Sequence, residues 1–124
     1  MPIIKLEDSK RFEMHGAEFS GLAAPSRGSR ENAVWRVRLP AGAAGVVHQL
    51  TKEEIVVALT GEAEVKLGDQ IHRLLAGNVV VIPPGIDFSL SVPDDNAFEA
   101  IAILPVGGMA AVGGGPPFTP PWAQ

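Results

Sequence analysis

The chain has 124 residues, 46% hydrophobic and 19% charged, a balance typical of one globular domain rather than of a disordered chain. The formal net charge is −4 and the basic residues are scattered, so no basic surface for nucleic acid is expected. The absence of cysteine excludes disulfides and thiol chemistry, and no apolar run is long enough for a membrane span or a signal peptide. We therefore expect a cytoplasmic protein with no nucleic-acid or membrane partner.

Residues 1–32 are predicted to form an N-terminal arm and loop. Asp8 and Ser9 are residues that commonly begin helices, so a short helix is predicted over residues 9–16. Residues 20–32 contain Ser, Gly and Arg without apolar periodicity, and this composition favours a loop.

The region from residue 33 to residue 105 is predicted to be a β-barrel. Short runs rich in Val, Ile and Leu alternate there with Gly- and Pro-containing turns, which is typical of a sandwich or barrel of short strands. The predicted strands cover residues 33–39, 46–50, 53–60, 62–67, 70–75, 78–83, 86–92 and 97–104.

The strands of this region differ in how apolar residues are distributed over their two faces. Trp35 alternates with Arg36 and Arg38, so Trp35 is expected inside and the arginines on a solvated face. Residues 55–59 and 79–82 are apolar at every position, as are residues 100–104, which indicates strands covered on both faces. The barrel interior covers one face, and we expect a second copy of the chain, in a homodimer, to cover the other. The alternative cover is the N-terminal segment.

Residues 106–124 form a Gly/Pro-rich C-terminal tail. Its prolines favour an extended conformation, and its glycines allow the chain to bend. Phe118 and Trp122 are large apolar side chains that are unfavourable in water, so the tail is predicted to pack on the barrel or on a partner subunit.

His48, Leu50 and Glu54 form the most informative cluster. Residues two apart in a strand share a face, so His48 and Leu50 point the same way, and a turn at residues 51–52 brings Glu54 near His48. An imidazole and a carboxyl group in an apolar cavity suit one corner of a metal site. They equally suit a hydrogen-bonded pair that moves a proton.

Two sets of residues carry a resemblance to a known family. The first consists of Gly42, His48, Leu50, Glu54 and Gly61, and the second of Gly77, Pro83, Gly85 and Phe88. Together they resemble the two motifs of the cupin superfamily, and the resemblance extends from Gly42 to Leu104. It implies an all-β, double-stranded β-helix (jelly-roll) barrel in a small single-domain protein.

The resemblance also implies a modified metal site. Cupins commonly hold iron, manganese, nickel or zinc by three histidines and one glutamate; here His48 matches the first histidine and Glu54 the glutamate. Leu50 and Phe88 occupy the positions of the other two histidines, so a reduced or absent metal site is expected. No cofactor is firmly predicted, and a divalent metal at His48 and Glu54 is the alternative. The candidates to complete such a site are His15, His72, Glu53 and Asp87, although His72 is better interpreted as a surface histidine.

Leu50 and Phe88 also have an interpretation without metal. Together with Trp35, they would line an apolar pocket with one polar corner, which is typical of small-molecule sites; Val56, Leu90 and Met109 are expected beside them. The alternative is a barrel filled by these side chains.

The leading hypothesis for function is a small-molecule-binding barrel of unknown ligand. Its predicted ligand-binding residues are His48, Leu50, Glu54, Phe88 and Trp35. The alternative is an enzyme that uses His48 and Glu54 as catalytic residues, either a metal-dependent dioxygenase or a metal-independent isomerase or lyase.

Overall fold

The computed structural model describes residues 2–124 and consists of two antiparallel β-sheets that enclose a common core. The larger sheet contains, in spatial order, β1 (Lys10–Met14), β2 (Ala17–Ala23), β3 (Asn32–Leu39), β10 (Phe98–Pro105), β5 (Glu54–Thr60) and β8 (Val79–Ile82). The smaller sheet contains β11 (Ala110–Val112), β4 (His48–Leu50), β9 (Phe88–Ser91), β6 (Glu62–Leu67) and β7 (Gln70–Leu75). Three short 3-10 turns, at Leu6–Asp8, Pro25–Arg27 and Pro121–Ala123, are the helical segments of the described residues. The predicted all-β jelly-roll fold is thus confirmed.

All eight strands predicted between residues 33 and 105 are present, with ends within two residues of those expected. Residues 62–67 and 70–75 are strands with the predicted bounds, joined by a turn at residues 68–69. The Val-, Ile- and Leu-rich runs therefore locate the barrel strands correctly, because each run is ended by Gly or Pro.

The prediction of a helix over residues 9–16 is wrong. Residues 10–14 form β1, which pairs with β2 through a tight turn at His15 and Gly16. Both turn residues have positive φ, 52° for His15 and 79° for Gly16, as a two-residue hairpin turn of type I′ requires. The helix-start signal at Asp8 and Ser9 is overridden because residues 10–14 pair with β2 at the edge of the larger sheet.

The prediction of a loop over residues 20–32 is wrong for its first part. Residues 17–23 form β2, which pairs with β3. Gly21, within this segment, lacks a side chain and so permits a close backbone approach, since a Cβ atom there would lie 2.9 Å from the carbonyl oxygen of Trp122.

One face of β3 is buried and the other lies at the surface, as the alternation of apolar and charged residues along this strand predicts. Trp35 is buried in the core, whereas Arg36 and Arg38 lie on the outer face of the larger sheet. Arg36 donates a hydrogen bond of 2.8 Å to the carboxylate of Glu99 on the neighbouring strand. The arginines therefore belong to a partly solvated surface and do not line the interior.

The outer face of β10, β5 and β8 is mainly apolar, apart from Glu99 near the start of β10. Its side chains lie in two register rows: Ile103, Ile55 and Val81 in the first, and Ile101, Val57 and Val79 in the second. Val79 and Val81 are 52% and 50% exposed. The N-terminal segment does not cover these rows, because β1 and β2 extend the opposite edge of the sheet, so that alternative is wrong.

The C-terminal tail lies on the barrel of its own chain. Ala110 pairs with Phe118, which folds the tail back over the sheet, and Trp122 is only 8% exposed. The Trp122 ring stacks on Phe19 with ring centroids 3.7 Å apart and planes 4° apart. The tail thus forms one wall of the barrel.

Candidate functional site

A cavity of about 140 Å³ lies between the two sheets. It opens between the β1–β2 turn and the loop before β4, where His15, Ala44 and Gly45 are exposed lining residues. Its deeper walls are mainly apolar, and they include Trp35, Leu50, Val56, Phe88 and Leu90. The alternative of a completely filled barrel is therefore wrong, because space remains between these side chains.

His48 lies on β4, where it pairs in register with Phe88 of β9. Nδ1 of its ring lies 2.8 Å from the carbonyl oxygen of Val46, and it donates this hydrogen bond because a carbonyl oxygen can only accept. The ring packs against Phe88 with centroids 3.9 Å apart and planes tilted by 50°. This arrangement leaves Nε2 as the ring nitrogen available to a ligand.

The pKa of His48 is lowered from its usual value. Burial disfavours the charged imidazolium and is the largest cause; the hydrogen bond to Val46 opposes it, and the nearby His15 adds a smaller lowering. At neutral pH the ring is therefore uncharged, and Nε2 is a hydrogen-bond acceptor.

Glu54 begins β5, where it pairs with Ile82, and its side chain points into the cavity with 6% exposure. Burial raises the pKa of Glu54 to about 8, with no neighbouring cation to oppose the effect. At neutral pH its carboxyl group is therefore protonated and presents an O–H donor to the cavity.

His48 and Glu54 reach the same cavity from different sheets. The structure thus brings the two predicted residues together, but within residues 2–124 no direct hydrogen bond joins them; the partner of His48 is Val46. The hydrogen-bonded pair considered from the sequence is not formed, and each group stays free to contact a ligand.

Of the other residues predicted to line the pocket, all but Met109 do so. Trp35, Leu50 and Phe88 are buried and line the cavity, as do Val56 and Leu90. Met109 does not line it and is 37% exposed, so that prediction is wrong. Two hydrogen bonds to Thr51 hold it at the surface of the barrel: the Met109 N–H donates to Oγ1 of Thr51, and the Thr51 N–H donates to the Met109 carbonyl oxygen.

The side chains present do not fit a protein-held metal. Within residues 2–124, no group of three or more His, Cys, Asp or Glu side chains is placed to hold a metal ion. Stable zinc sites use three or four protein ligands, whereas this cavity offers His48 and Glu54 beside the apolar Leu50 and Phe88. Of the candidates for completing the site, His15 reaches the cavity mouth, and His72, Glu53 and Asp87 are exposed outside it.

Sequence reasoning named His15 without placing it and did not assign several other residues to the cavity. His15 could have been placed from the His15-Gly16 pair, which suits a tight hairpin turn. Phe19, Phe118 and Trp122 also line the cavity. Their hydrophobicity indicated burial, but nothing in their spacing indicates that the β1–β2 hairpin and the tail meet over the same opening.

Comparison with protein families identifies the fold. Residues 35–104 match the family model described as a cupin domain. The chain belongs to the cupin family. Its predicted membership is therefore confirmed, and the match spans the strands that carry the cavity residues from Trp35 to Phe88.

Solved structures of other proteins are similar in fold. The polyketide cyclase RemF from Streptomyces resistomycificus superposes with a TM-score of 0.75 at 15% identity, covering 85% of this chain and 79% of that one. An RmlC-like cupin from Shewanella frigidimarina gives a TM-score of 0.68 at 20% identity, covering 80% of this chain and 85% of that one. At these identities the similarity concerns the fold alone.

A third similar structure belongs to a longer enzyme. A salicylate 1,2-dioxygenase from Pseudoaminobacter salicylatoxidans, in complex with gentisate, gives a TM-score of 0.69 at 15% identity, covering 81% of this chain and 30% of that one. No curated protein matches the sequence. Within the described residues, no helix is long and apolar enough to cross a membrane.

Proposed function

We propose that this cupin binds a small molecule in the cavity between its sheets, without a protein-held metal. The observation that carries this proposal is an apolar cavity of about 140 Å³ with two polar groups, on His48 and Glu54, that have no partner across the cavity. Small-molecule sites commonly combine apolar walls with a few polar groups that orient the ligand.

Benzene is a suitable probe of this proposal, because an apolar cavity of about 150 Å³ binds it in another protein. We expect benzene to shift the indole N–H signals of Trp35 and Trp122 in heteronuclear NMR spectra. A Val56→Phe variant should lose the shifts, since its larger ring fills the cavity, whereas Ile71→Ala at the surface should keep them. Wild-type spectra that respond neither to benzene nor to its hydroxylated analogue phenol would refute the proposal.

Catalysis of proton transfer is the second candidate function. The opposite pKa shifts favour it: burial raises the pKa of Glu54 to about 8 and lowers that of His48. Such a divergence is typical of an acid and a base that share one site. In this scheme Nε2 of His48 removes a proton from a carbon beside a carbonyl group, and Glu54 gives its proton to the carbonyl oxygen, which yields an enol.

Deuterium exchange tests this second function. The α-protons of a small ketone such as cyclopentanone should exchange with D₂O faster with the protein than in buffer. His48→Gln should slow the exchange by about a hundredfold or more, because the base is lost. Equal exchange with wild type and buffer would exclude proton abstraction from this class of ketone.

We further propose that two copies associate through the apolar outer face of β10, β5 and β8. Apolar surface of this kind, continuous over three strands and rimmed by polar residues, commonly marks an interface. A second copy is the partner that suits it best, because the flank carries both charges, on Arg36 and Glu99, and so presents no single sign to repel an identical surface. The proposed compartment is the cytoplasm, consistent with a sequence that lacks cysteine.

A further inference from the structure

The size and lining of the cavity indicate the chemical class of its ligand. We propose that it selects small uncharged aromatic compounds with one ring and a hydroxyl group, and that Glu54 and His48 recognise the hydroxyl. This inference rests on the proposed binding function and specifies it further.

The volume of the cavity restricts the ligand to about one ring. At about 140 Å³ the cavity is close to the volume of about 150 Å³ that accommodates benzene elsewhere. Larger ligands generally occupy pockets of roughly 300 Å³ or more. A nucleotide therefore exceeds the available space, and a single ring is the size that suits the cavity best.

The walls of the cavity favour an aromatic ring. The chain contains five Phe and two Trp residues and no Tyr, and five of these seven aromatic side chains line the cavity. They are Phe19, Trp35, Phe88, Phe118 and Trp122. Aromatic pairs gain energy from offset-stacked and edge-to-face contacts beyond the burial of their surface. A flat ring can form such contacts, whereas a sugar would lose the hydrogen bonds of its many hydroxyl groups in this apolar cavity.

The residues that face the cavity favour an uncharged ligand. Among its lining residues, all in the described part of the chain, there is no Lys or Arg, and the titratable side chains are His15, His48 and Glu54. A carboxylate ligand would lose its hydration on entering the cavity and would find no Lys or Arg side chain to pair with. It would also lie near the Glu54 carboxyl group, so binding of a carboxylate is disfavoured.

A hydroxyl group suits the two polar groups that remain. Nδ1 of His48 is already bonded to Val46, so Nε2 can accept a hydrogen bond from the ligand. The Glu54 carboxyl group can donate to the ligand oxygen or accept from its O–H. A ligand without a hydroxyl group would leave both buried groups unsatisfied, and this is the physical basis of discrimination.

A matched series of three probes tests the inference: benzene, phenol and benzoate, titrated against the full chain at neutral pH by calorimetry and NMR. We expect phenol to bind about tenfold more tightly than benzene, as one additional neutral hydrogen bond would give. Benzoate should bind more weakly than either. In Glu54→Leu, the preference for phenol over benzene should fall to within about twofold while benzene binding is retained.

Glu54→Gln is the conservative control, because its amide keeps hydrogen-bonding capacity and should keep most of the preference. It also provides a second variant if Glu54→Leu does not fold. Equal affinity for benzene and phenol, or tightest binding of benzoate, would overturn this inference and leave the binding function intact. If none of the three probes binds, both proposals fail.

Discussion

At the scale of single residues, Glu54 combines an acidic side chain with a site that disfavours its charge. It is 6% exposed, and burial raises its pKa from 4.5 to about 8. The cause is local: it shares the cavity with the apolar Leu50 and Phe88, whose positions resemble those of histidines in metal-binding cupins. With no cation to stabilise the carboxylate, the proton is retained.

Replacing Glu54 by Gln should remove a pH-dependent loss of stability. The folded pKa of Glu54 is raised, so its contribution to stability is highest below about pH 4.5 and falls as the pH rises through about 8. The shift corresponds to at most about 5 kcal/mol, since one pKa unit is about 1.4 kcal/mol.

Urea unfolding between about pH 5 and about pH 9 checks this prediction. The free energy of unfolding of wild type should fall relative to that of Glu54→Gln as the pH rises. The exposed Glu53→Gln serves as control and should follow wild type. A difference between wild type and Glu54→Gln that does not change with pH would contradict the assignment of a raised pKa.

Restoring two histidines should create a metal site in the cavity. Leu50→His combined with Phe88→His would add two donors to His48 and Glu54, giving the four ligands typical of structural zinc sites. We expect zinc binding measurable by calorimetry in the double variant, and much weaker binding in Leu50→His alone. If the folded double variant binds no zinc, the four positions do not converge as the structure indicates.

At the scale of elements, the body of the β1–β2 hairpin and the C-terminal tail together close one side of the cavity. Phe19 of the hairpin stacks on Trp122 of the tail, and Gly21 permits the tail backbone to approach closely. The two elements are distant in sequence, so each supplies apolar surface that the other buries. The barrel strands alone would leave the cavity open on this side.

Trp122→Ala should therefore destabilise the fold and enlarge the cavity. Removing a buried Trp side chain typically costs about 3–5 kcal/mol, which denaturant unfolding can measure. Trp122→Phe should cost much less, because it retains the stacking on Phe19, and Nε1 of Trp122 has no hydrogen-bond partner to lose. Similar losses in both variants would argue against the stacking as the main contribution.

At the scale of the whole molecule, the two faces of the larger sheet have different roles. The inner face lines the core and the cavity, whereas the outer face is charged around Arg36 and Glu99 and apolar over β10, β5 and β8. Because β8 is also an edge strand, this end of the sheet has both apolar side chains and unpaired backbone groups available. These features support the proposed homodimer.

Sedimentation velocity tests that proposal. The wild-type chain should sediment as a dimer, and Val81→Lys combined with Ile103→Lys should yield a folded monomer, because two charges would then have to be buried at the interface. Ile71→Lys, on the outer face of the smaller sheet, should leave the dimer intact. A monomeric wild type at concentrations of about 100 μM, well above a micromolar dissociation constant, would refute the interface.

The sequence by itself determined the barrel strands, the inward position of Trp35 and the family, because these depend on local alternation and on turn residues at fixed spacing. It also indicated that His48 and Glu54 belong to one interior site. The tertiary structure decided the rest. Sheet pairing overrode a helix-start signal in β1 and a loop-like composition in β2, and Gly21 lies where the backbone of Trp122 approaches closely. Closure of the cavity by the hairpin and tail depends on contacts between segments far apart in the chain, which no local pattern records.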